Sequence, residues 1–370
     1  MDKNAKVYLA GHTGMVGSAL FRNLIRSGYY NVITRELDEL NLIDQSATAA
    51  FFESEKPEYV LLAAARVGGI HANNVYRAQF IYENIQIQTN VIHQAYLNGV
   101  KKLLFLGSSC IYPAKSPQPI KEEYLLTDIL EYTNEPYAIA KITGIKMCES
   151  YNIQYGTNFI SAMPTNLFGI NDNYDLDNSH VLPALIRKMH LAKLLQESDF
   201  EGITSDLSRR PVPGFYQGLD NDGISVLLKK YGIEKKEGRV ILRLWGSGSP
   251  SREFLDSDSL AAACIFLMEN IDYKHTLNLI EDKKNIRNTH INIGSGTDLT
   301  ILELAEKIKN VTGYEGILGW DSSKPDGTVQ KLLDITKLRS LGWSNDFDLD
   351  EKLRFVYDNY KSTLGIWCTT

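Results

Sequence analysis

Three glycines that follow the first apolar segment constrain the fold of this chain more than any other feature. Val7–Ala10 is a short apolar run typical of a buried strand, and Gly11, Gly14 and Gly17 come directly after it. Apolar residues then recur at helical spacing from Val16 onward. Glycines between a strand and a helix allow a tight turn, and the free N–H groups that begin the helix suit a pyrophosphate. The spacing therefore indicates a dinucleotide-binding unit; the alternative is a turn that binds nothing.

Short apolar runs continue to alternate with helical patterns through the first 170 residues. The runs are continuously apolar, which indicates a parallel sheet covered on both faces. We therefore predict an α/β fold, a doubly wound parallel Rossmann sheet with a smaller, mixed α/β substrate-binding domain. The predicted strands are residues 7–10, 31–34, 59–63, 102–106 and 158–163, and the predicted helices after the glycine loop are 45–54, 78–98 and 137–155.

The pattern becomes less regular beyond residue 170. We assign residues 1–170 to a Rossmann domain that binds the cofactor and 171–370 to a substrate domain, from which some segments return to the Rossmann sheet. Residues 196–238 mix prolines, glycines and charges, which predicts a surface insertion with one small helix at 223–231. The other predicted elements are helices at 179–195, 258–270, 301–312 and 349–361 and strands at 241–245 and 291–293.

Composition excludes several classes of protein. The net charge of −6 and the lack of a basic run argue against nucleic acid or an anionic membrane as partners. The densest apolar run has nine residues, 260–268, and the first residues lack an apolar stretch, so we expect neither a membrane span nor a secretory signal. Four cysteines without a C-x-x-C pair suit a reducing cytoplasm and predict no metal site. Cys148, Cys264 and Cys368 are expected to be structural.

A tyrosine, a lysine and a serine stand where carbonyl reduction could use them. Tyr137 and Lys141 are four residues apart on a predicted helix, so they face the same side. Ser108 follows a predicted strand, at the carboxyl end of the sheet where ligands bind. The tyrosine can donate a proton to a developing alkoxide, the lysine can lower the tyrosine pKa, and the serine can orient the carbonyl oxygen. The alternative is a surface tyrosine–lysine pair.

These motifs resemble the GDP-L-fucose synthase group of the extended short-chain dehydrogenase/reductase family, and the likeness covers nearly the whole chain. The strings that carry it are GHTGMVG at 11–17, AAARVGGI at 63–70, FLGSSCIYP at 105–113, NEPYAIAK at 134–141, MPTNLFG at 163–169, DN at 172–173, NSHV at 178–181, WGSG at 245–248, REF at 252–254 and SKPDG at 323–327. The resemblance implies an enzyme, usually a homodimer, of nucleotide-sugar biosynthesis for surface glycans.

The implied reaction inverts C3 and C5 of a GDP-4-keto-6-deoxymannose and then reduces C4 with NADPH, giving GDP-L-fucose. The ketone acidifies the hydrogens on both neighbouring carbons, so a base and an acid can invert them through an enolate. The resemblance assigns these proton transfers to Cys110 and His180, whose side chains titrate near neutral pH. The alternatives are an inert buried cysteine and a structural histidine. Ser108, Tyr137 and Lys141 complete the catalytic set.

The resemblance also assigns the cofactor site. Its residues are Gly11, Thr13, Gly14, Met15, Val16, Gly17, Arg35, Asn41, Leu42, Ala64, Leu106, Gly107, Ser108, Ser109, Tyr137, Lys141, Pro164, Thr165, Asn166, Leu167 and His180. From the residues alone the choice of cofactor is open, because Arg35 favours the 2′-phosphate of NADP and Glu36 the free ribose of NAD. The family tends to place arginines where Thr13 and Leu37 stand. We expect NADP(H), with NAD(H) use as a live alternative.

The implied substrate residues lie mainly in the second half of the chain. Arg252 is assigned to the diphosphate, Trp245 to the nucleotide and Asp326 to the sugar or ribose, together with Cys110 and Asn166 from the first half. Lys188 stands where the family often has arginine, and it would lack the planar fork that binds phosphate bidentately. Each of these could instead be a surface residue.

Two other functions remain open at this stage. Residues 196–238 are longer than the family's usual connection, so they could reshape the sugar pocket for a GDP-4-keto-heptose. On that sugar the enzyme would act as an epimerase, as a C4 reductase or as both, and it would invert only one centre. The simpler alternative is a surface insertion. A non-catalytic NADP-binding scaffold or sensor is disfavoured by the intact Ser108, Tyr137 and Lys141.

Overall fold

The chain forms two compact units. The computed structural model describes residues 1–280, 282–324, 326–344 and 346–362, with the backbone alone at 70 and 71. Cys368 therefore lies outside the described residues. Unit one contains Met1–Asn171, Glu253–Asp298 and Lys331–Phe347, and unit two contains Asp172–Arg252, Leu299–Gln330 and the described residues from Asp348 onward.

Strands and helices alternate through both units. The strands are β1 (Val7–Ala10), β2 (Val32–Ile33), β3 (Tyr59–Leu62), β4 (Lys102–Leu106), β5 (Phe159–Pro164), β6 (Asn166–Phe168), β7 (Ile233–Lys236), β8 (Arg239–Trp245), β9 (Ser251–Asp256), β10 (Ile291–Ile293), β11 (Asp298–Thr300), β12 (Ile317–Asp321) and β13 (Gln330–Lys331). The helices are α1 (Met15–Arg26), α2 (Gln45–Glu55), α3 (Ile70–Val75), α4 (Arg77–Leu97), α5 (Glu135–Tyr155), α6 (Val181–Glu197), α7 (Phe200–Arg209), α8 (Asn221–Lys230), α9 (Ser257–Asn270), α10 (Tyr273–Asn278), α11 (Ile301–Thr312), α12 (Thr336–Ser340) and α13 (Leu349–Ser362). None of the helices in the described part of the chain combines the length and apolarity that crossing a bilayer requires.

Unit one is built on a six-stranded parallel sheet. Its strand order is β10-β5-β4-β3-β1-β2, with the chain reversing direction beside β1. Ligands bind at the carboxyl ends of strands near such a reversal. The predicted α/β class with a doubly wound parallel sheet is therefore confirmed.

Both faces of this sheet are covered, as the continuously apolar strands predicted. Tyr8 and Ala10 of β1 point into a core that includes residues of α2, α4 and α5. Val7 and Leu9, on the same strand, point into a second core with residues of α1 and α9. Alternate residues of one strand are thus buried on opposite faces, as expected of a sheet that lies between two layers of helices.

A short strand pair in unit one, separate from the six-stranded sheet, positions the residues after β5. Strand β6 runs parallel to β9, with Asn166 opposite Phe254 and Phe168 opposite Asp256. Strand β9 ends in Asp256, whose carboxylate accepts the N–H of Ser259 at 3.1 Å and so caps α9. The segment that follows β5 is therefore held against the start of α9.

Unit two packs helices against a three-stranded sheet. Strand β8 pairs in parallel with β12 and in antiparallel with β7. Helices α6 and α11 contact each other, and α6 also contacts β7 and β8. The alternation of buried and exposed residues along β8 shows that one face of this sheet is covered and the other is open.

The small helix predicted at 223–231 is present as α8, but the rest of the segment 196–238 is more ordered and more buried than the sequence predicted. The segment contains two helices, α7 and α8, and strand β7. Its apolar side chains Ile203, Leu207, Ile224 and Leu228 are fully buried. They recur at helical spacing within a charged segment, so each helix has one narrow apolar face that packs into unit two.

Candidate active site

The glycine loop of unit one has the geometry of a phosphate-binding turn. Gly11 adopts a positive φ of 83°, and a Cβ there would lie 2.6 Å from the backbone nitrogen of Ala64. A Cβ on Gly17 would lie 1.8 Å from the carbonyl oxygen of Gly11. At Gly14 the nearest atom would be 3.7 Å away, so the protein leaves this position open. The first and third glycines are thus required by the fold, and the second leaves room for a ligand.

The start of α1 offers free donors beside that open position. Gly14 is the N-cap of α1 and has no side chain to satisfy the first N–H groups of the helix, and the first turn has no acidic residue. The buried Nδ1 of His12 also has no hydrogen-bond partner among the described residues. Unpaired donors at the positive end of a helix dipole suit an anionic group. The loop therefore fits a dinucleotide.

Arg35, the cation nearest to the expected 2′-phosphate site, is already engaged. Its guanidinium forms an ion pair of 2.6 Å with Glu55 and donates to the Thr34 carbonyl at 2.8 Å. Thr13 and Leu37 are exposed and contribute no charge. A 2′-phosphate would have to share Arg35 with Glu55, so the structure leaves both NADP and NAD open at this position.

The other predicted cofactor residues lie on several elements of unit one. Met15 and Val16 begin α1, Asn41 and Leu42 precede α2, Ala64 follows β3, and Leu106 ends β4. Gly107 and Ser109 follow Leu106, while Pro164 ends β5 and Leu167 lies in β6. They therefore follow or adjoin the strands of the central sheet, where such folds bind ligands.

Ser108 and Cys110 lie in the short turn after β4. Ser108 caps the 3₁₀ helix Ser109–Ile111, and its hydroxyl oxygen accepts the N–H of Cys110 at 3.3 Å. Cys110 is buried, with 9% of its surface exposed. The cap fixes the serine hydroxyl and the thiol in one turn.

Tyr137 and Lys141 lie one helical turn apart on α5. The ammonium nitrogen of Lys141 lies 5.7 Å from the centre of the Tyr137 ring and donates to the carbonyl oxygen of Leu106 at 2.7 Å. That carbonyl ends β4, so the hydrogen bond ties the helix to the turn that carries Ser108 and Cys110. The Tyr137 ring packs edge-on against Phe80 at 6.2 Å.

The pKa shifts in this cluster follow from burial. Desolvation raises the pKa of Tyr137 above its usual range, and the charge of Cys110 adds to the rise. Desolvation lowers the pKa of Lys141 to about 8. In the protein without ligands, burial of the phenol therefore raises the tyrosine pKa, against the expectation that the lysine would lower it. Tyr137 is held as the neutral phenol, which is the form that donates a proton.

Burial and nearby charges act on the pKa of the Cys110 thiol in opposite directions. Burial raises the pKa of its thiol, while the charge of Lys331, the hydrogen bond with Ser108 and the charge of Lys141 lower it. Because two cations favour the thiolate, the cysteine differs from Cys148 and Cys264, whose thiol pKa values rise to about 12 with no nearby cation among the causes. Among the three cysteines that the structure describes, Cys110 is the one best suited to take a proton.

His180 belongs to unit two, where it is the N-cap of α6. Its side chain is exposed, yet the surrounding protein desolvates it enough to lower its pKa. A lowered pKa keeps the imidazole neutral near pH 7, so it can accept a proton at one nitrogen and donate from the other.

The predicted nucleotide residues of unit two include an exposed aromatic side chain flanked by cations. Trp245 ends β8 with 71% of its surface exposed. The ammonium nitrogen of Lys188 lies 5.9 Å from the centre of its ring, and that of Lys324 lies 5.3 Å away. Burial lowers the pKa of Lys188, and the charge of Asp177 opposes the shift. An aromatic face with ammonium groups on its sides suits a base and a phosphate chain.

Arg252 and Asp326 also lie in unit two. The Arg252 side chain is half-buried, burial lowers its pKa, and it donates to the carbonyl oxygen of Ser251 at 2.8 Å. Asp326 accepts the N–H and the hydroxyl of Ser247 at 2.9 and 2.7 Å. This carboxylate therefore braces the turn after Trp245, and a sugar hydroxyl would compete with Ser247 for it.

Two residues with charge in these clusters were not predicted from the sequence. Lys324 lies inside the SKPDG string, so the signal was present but was assigned to Asp326 alone. Lys331 has no motif around it, and only the fold brings its charge to Cys110.

Comparison with known proteins decides the family. The sequence profile of the NAD dependent epimerase/dehydratase family matches residues 7–210, which is more than half of the chain. The chain belongs to this family. Membership confirms the resemblance drawn from the motifs and makes the protein a nicotinamide-dependent enzyme.

Individual members of the family match over almost the entire chain. GDP-L-fucose synthase 1 of Arabidopsis thaliana is 49% identical, covering 97% of this chain and 94% of that protein. A solved GDP-6-OMe-4-keto-L-xylo-heptose reductase from C. jejuni is 46% identical with a TM-score of 0.88, covering 98% of this chain and 99% of that one. A GDP-D-glycero-L-gluco-heptose synthase from Campylobacter jejuni, solved in the presence of NADPH, is 44% identical with a TM-score of 0.88, covering 98% and 100%.

Proposed function

We propose that the protein is a bifunctional 3,5-epimerase/4-reductase that converts a GDP-4-keto-6-deoxymannose to GDP-L-fucose with NADPH. The observation that carries this proposal is the cluster in unit one, where Lys141 is bonded to the strand end that leads into Ser108 and Cys110. A reductase needs the serine, tyrosine and lysine; the buried cysteine with two cations beside it adds a group for proton transfer. The identity with GDP-L-fucose synthase 1 supports the substrate.

Epimerisation uses the acidity that the C4 ketone gives to its neighbours. One of Cys110 and His180 removes the hydrogen at C3 or C5 as a proton, and the electron pair of the C–H bond forms the enolate. The other returns a proton to the opposite face of the same carbon, which inverts the centre. Both groups then exchange protons with solvent before the second inversion. Donors near the C4 oxygen stabilise the enolate charge, and we assign that task to the Ser108 hydroxyl.

Reduction ends the sequence at C4. The cofactor supplies a hydride when it is bound. Tyr137 gives its hydroxyl proton to the C4 oxygen, Ser108 orients that oxygen, and Lys141 supports the tyrosine from the same helix face. Loss of the ketone removes the acidity at C3 and C5, so the inverted centres become fixed.

For the cofactor we propose NADPH. The glycine loop and the start of α1 would hold the pyrophosphate, and Arg35 would hold the 2′-phosphate while sharing its charge with Glu55. The heptose synthase solved in the presence of NADPH supports this choice. We expect kcat/KM to be higher with NADPH than with NADH; a ratio below one would reverse the assignment.

A second candidate substrate is a GDP-4-keto-heptose. The two C. jejuni structures named for heptose chemistry match with a TM-score of 0.88 over almost the full length of both chains. The helices of residues 196–238 could adapt unit two to the longer sugar, since they are packed parts of that unit. In this case the enzyme would reduce C4 and invert one centre or none.

One experiment separates these functions. The purified protein is incubated with GDP-4-keto-6-deoxymannose or a GDP-4-keto-heptose in D₂O with NADPH, and the products are analysed by NMR. Deuterium at both C3 and C5 with NADPH oxidation supports the bifunctional enzyme. Oxidation without deuterium, on the heptose, supports the heptose reductase. Binding of NADPH with no turnover of either sugar would rule out both candidate substrates.

We also propose that the enzyme is a cytoplasmic homodimer. Helices α4 and α5 contact each other and carry exposed apolar side chains that a partner could cover. These are Tyr82, Leu97, Ile139, Ile153 and Tyr155. Light scattering after gel filtration should give twice the mass of the 41.7 kDa chain.

A further inference from the structure

Glu253 is a buried carboxylate of unit one to which the mechanism above gives no role. It lies in β9 and is 0% exposed. One carboxylate oxygen accepts the N–H of Gly296 at 2.7 Å and the other accepts the N–H of Leu333 at 3.0 Å. Burial raises the pKa of Glu253, and these two donors oppose the shift. Main-chain donors on both oxygens fix the carboxylate in one orientation.

The loop after β10 closes tightly around this carboxylate. The hydroxyl of Ser295 donates to the same oxygen as Gly296, at 3.4 Å. A Cβ on Gly294 would lie 2.2 Å from that oxygen, so no larger residue fits there without displacing Glu253. The loop after β10 therefore packs directly against the carboxylate of Glu253.

The main chain of Glu253 holds a second segment. Its carbonyl oxygen accepts the side-chain N–H of Asn166 at 2.9 Å and the hydroxyl of Thr165 at 3.3 Å. Thr165 and Asn166 follow β5 at the carboxyl end of the sheet and are predicted to contact cofactor and substrate. Because one amide N–H of Asn166 is engaged, its second N–H and its oxygen are left for a ligand.

The third segment begins at Lys331. Leu333, which donates to Glu253, is two residues beyond it, and Leu332 donates to the side-chain oxygen of Gln118 at 2.8 Å. The N–H of Ile120 donates a hydrogen bond to the carbonyl oxygen of Leu332 at 2.7 Å. Glu253 and residues 118–120 thus hold this segment from two sides, and releasing Leu333 would free one side of the segment that brings the charge of Lys331 to Cys110.

We propose that Glu253 is a positioning residue for the proton-transfer half of the reaction, holding the Asn166 amide through its carbonyl and the segment of Lys331 through its carboxylate. The inference rests on the proposed function. Since Glu253 is fully buried, it acts through these neighbours. Tyr137 and Lys141 are held by α5 and by the bond to Leu106, so the reduction step is much less dependent on Glu253.

The test is Glu253→Gln, compared with Ser295→Ala. A glutamine has one acceptor oxygen and one amide group where the site presents two main-chain donors, so Gly296 or Leu333 loses its acceptor. Ser295→Ala removes only the hydroxyl contact. In D₂O, we expect E253Q to lower deuterium incorporation at least tenfold relative to NADPH oxidation, and S295A to change that ratio less than twofold. NADP⁺ binding and thermal unfolding establish that each variant is folded; if E253Q is not, E253D, which shortens the side chain, takes its place with the same expectation.

A second readout needs no sugar. The thiolate of Cys110 is titrated by its absorbance at 240 nm, as the difference between each protein and its Cys110→Ser form. The groups whose charges act on this thiol are Lys331 and Lys141, and the neighbouring Tyr137 is neutral. We expect E253Q to raise the titration midpoint in the same direction as Lys331→Met. An E253Q protein with the wild-type midpoint and the wild-type exchange ratio would overturn the proposal. If the wild type turns over no GDP-4-keto sugar, the proposed function fails, while the thiol titration still decides what Glu253 does.

Discussion

Tyr137 is the residue on which the reduction step depends, and its hydroxyl can be removed without disturbing its packing. The ring lies edge-on to Phe80 at 6.2 Å, and phenylalanine would keep that contact. We expect Tyr137→Phe to lower the rate of NADPH oxidation by about 10²- to 10⁴-fold, since it removes a general acid. Stopped-flow absorbance measures the rate, and NADP⁺ binding should stay unchanged. Turnover within threefold of wild type would show that another group protonates the C4 oxygen.

Cys110 separates epimerisation from reduction. Cys110→Ser replaces a group that two cations help to ionise with a hydroxyl that stays protonated. We expect deuterium incorporation at C3 and C5 to fall at least a hundredfold, while NADPH oxidation on the unepimerised ketone persists. Cys148→Ser is the matched control, because Cys148 is buried and its thiol pKa is raised to about 12. Equal loss of exchange in both variants would contradict a role for Cys110 as base or acid.

Residues inside motifs could be predicted, and residues that act through the fold could not. Ser108, Tyr137 and Lys141 could be proposed from the sequence because the serine follows a strand and the other two share one helix face, although the bond from Lys141 to Leu106 joins two elements. Lys331 lies in no motif, and the REF string that contains Glu253 reveals no role for it, since the effects of both residues depend on segments far apart in sequence meeting in unit one. The direction of the tyrosine pKa shift was missed for a related reason, because burial of the Tyr137 hydroxyl is a property of the packed structure.

At the scale of elements, the sequence predicted strands better than the packed segment of unit two. Strands such as Lys102–Leu106 have continuous apolar runs, which a sheet between two helical layers requires. Helices α7 and α8 show one narrow apolar face each among charges, so their burial was not evident. Their amino ends follow ordinary rules, since Asp199 and Asp220 accept the N–H groups of glycines three residues on, both at 2.8 Å.

The segment that contains α7 supplies a buried charge network, which gives a stability prediction. Asp206 forms ion pairs with Arg187 at 3.0 Å and Arg210 at 3.2 Å, and its carboxylate accepts the hydroxyl of Tyr360. Asp206→Asn would leave two buried guanidinium groups without a counter-charge, which costs about 3–5 kcal/mol of unfolding free energy. Asp199→Asn, at the exposed N-cap of the same helix, should cost less than about 0.5 kcal/mol because asparagine also caps.

Urea unfolding followed by tryptophan fluorescence and circular dichroism measures both variants. Stabilities of the two variants that agree within error would show that Asp206 is not the partner that neutralises this network. A loss confined to D206N would establish that residues 196–238 are part of the core of unit two, rather than an insertion that the unit could lose.

At the scale of the whole molecule, each unit carries a histidine with a depressed pKa that should make folding sensitive to acid. His190 of unit two is held by burial at a pKa of about 4, and its Nδ1 lies 2.9 Å from the Tyr357 hydroxyl. In unit one, burial lowers the pKa of the fully buried His290 well below its usual range. A histidine whose folded-state pKa is depressed stabilises the fold above the unfolded pKa of about 6.5 and loses that contribution as the pH falls.

For His190 the loss should reach about 2 kcal/mol between pH 6.5 and pH 5, at 1.36 kcal/mol per pH unit. Buried Glu122 and Glu253 act in the opposite direction, because burial raises their pKa values and protonation then favours the folded state. As the pH falls, the histidines therefore destabilise the fold while the glutamates stabilise it. A variant is needed to isolate the contribution of one group. His190→Asn cannot be protonated, so its unfolding midpoint should fall less than that of wild type between pH 6.5 and pH 5. If differential scanning fluorimetry shows that the midpoints of the wild type and the variant fall equally over that range, His190 is not held neutral in the folded protein.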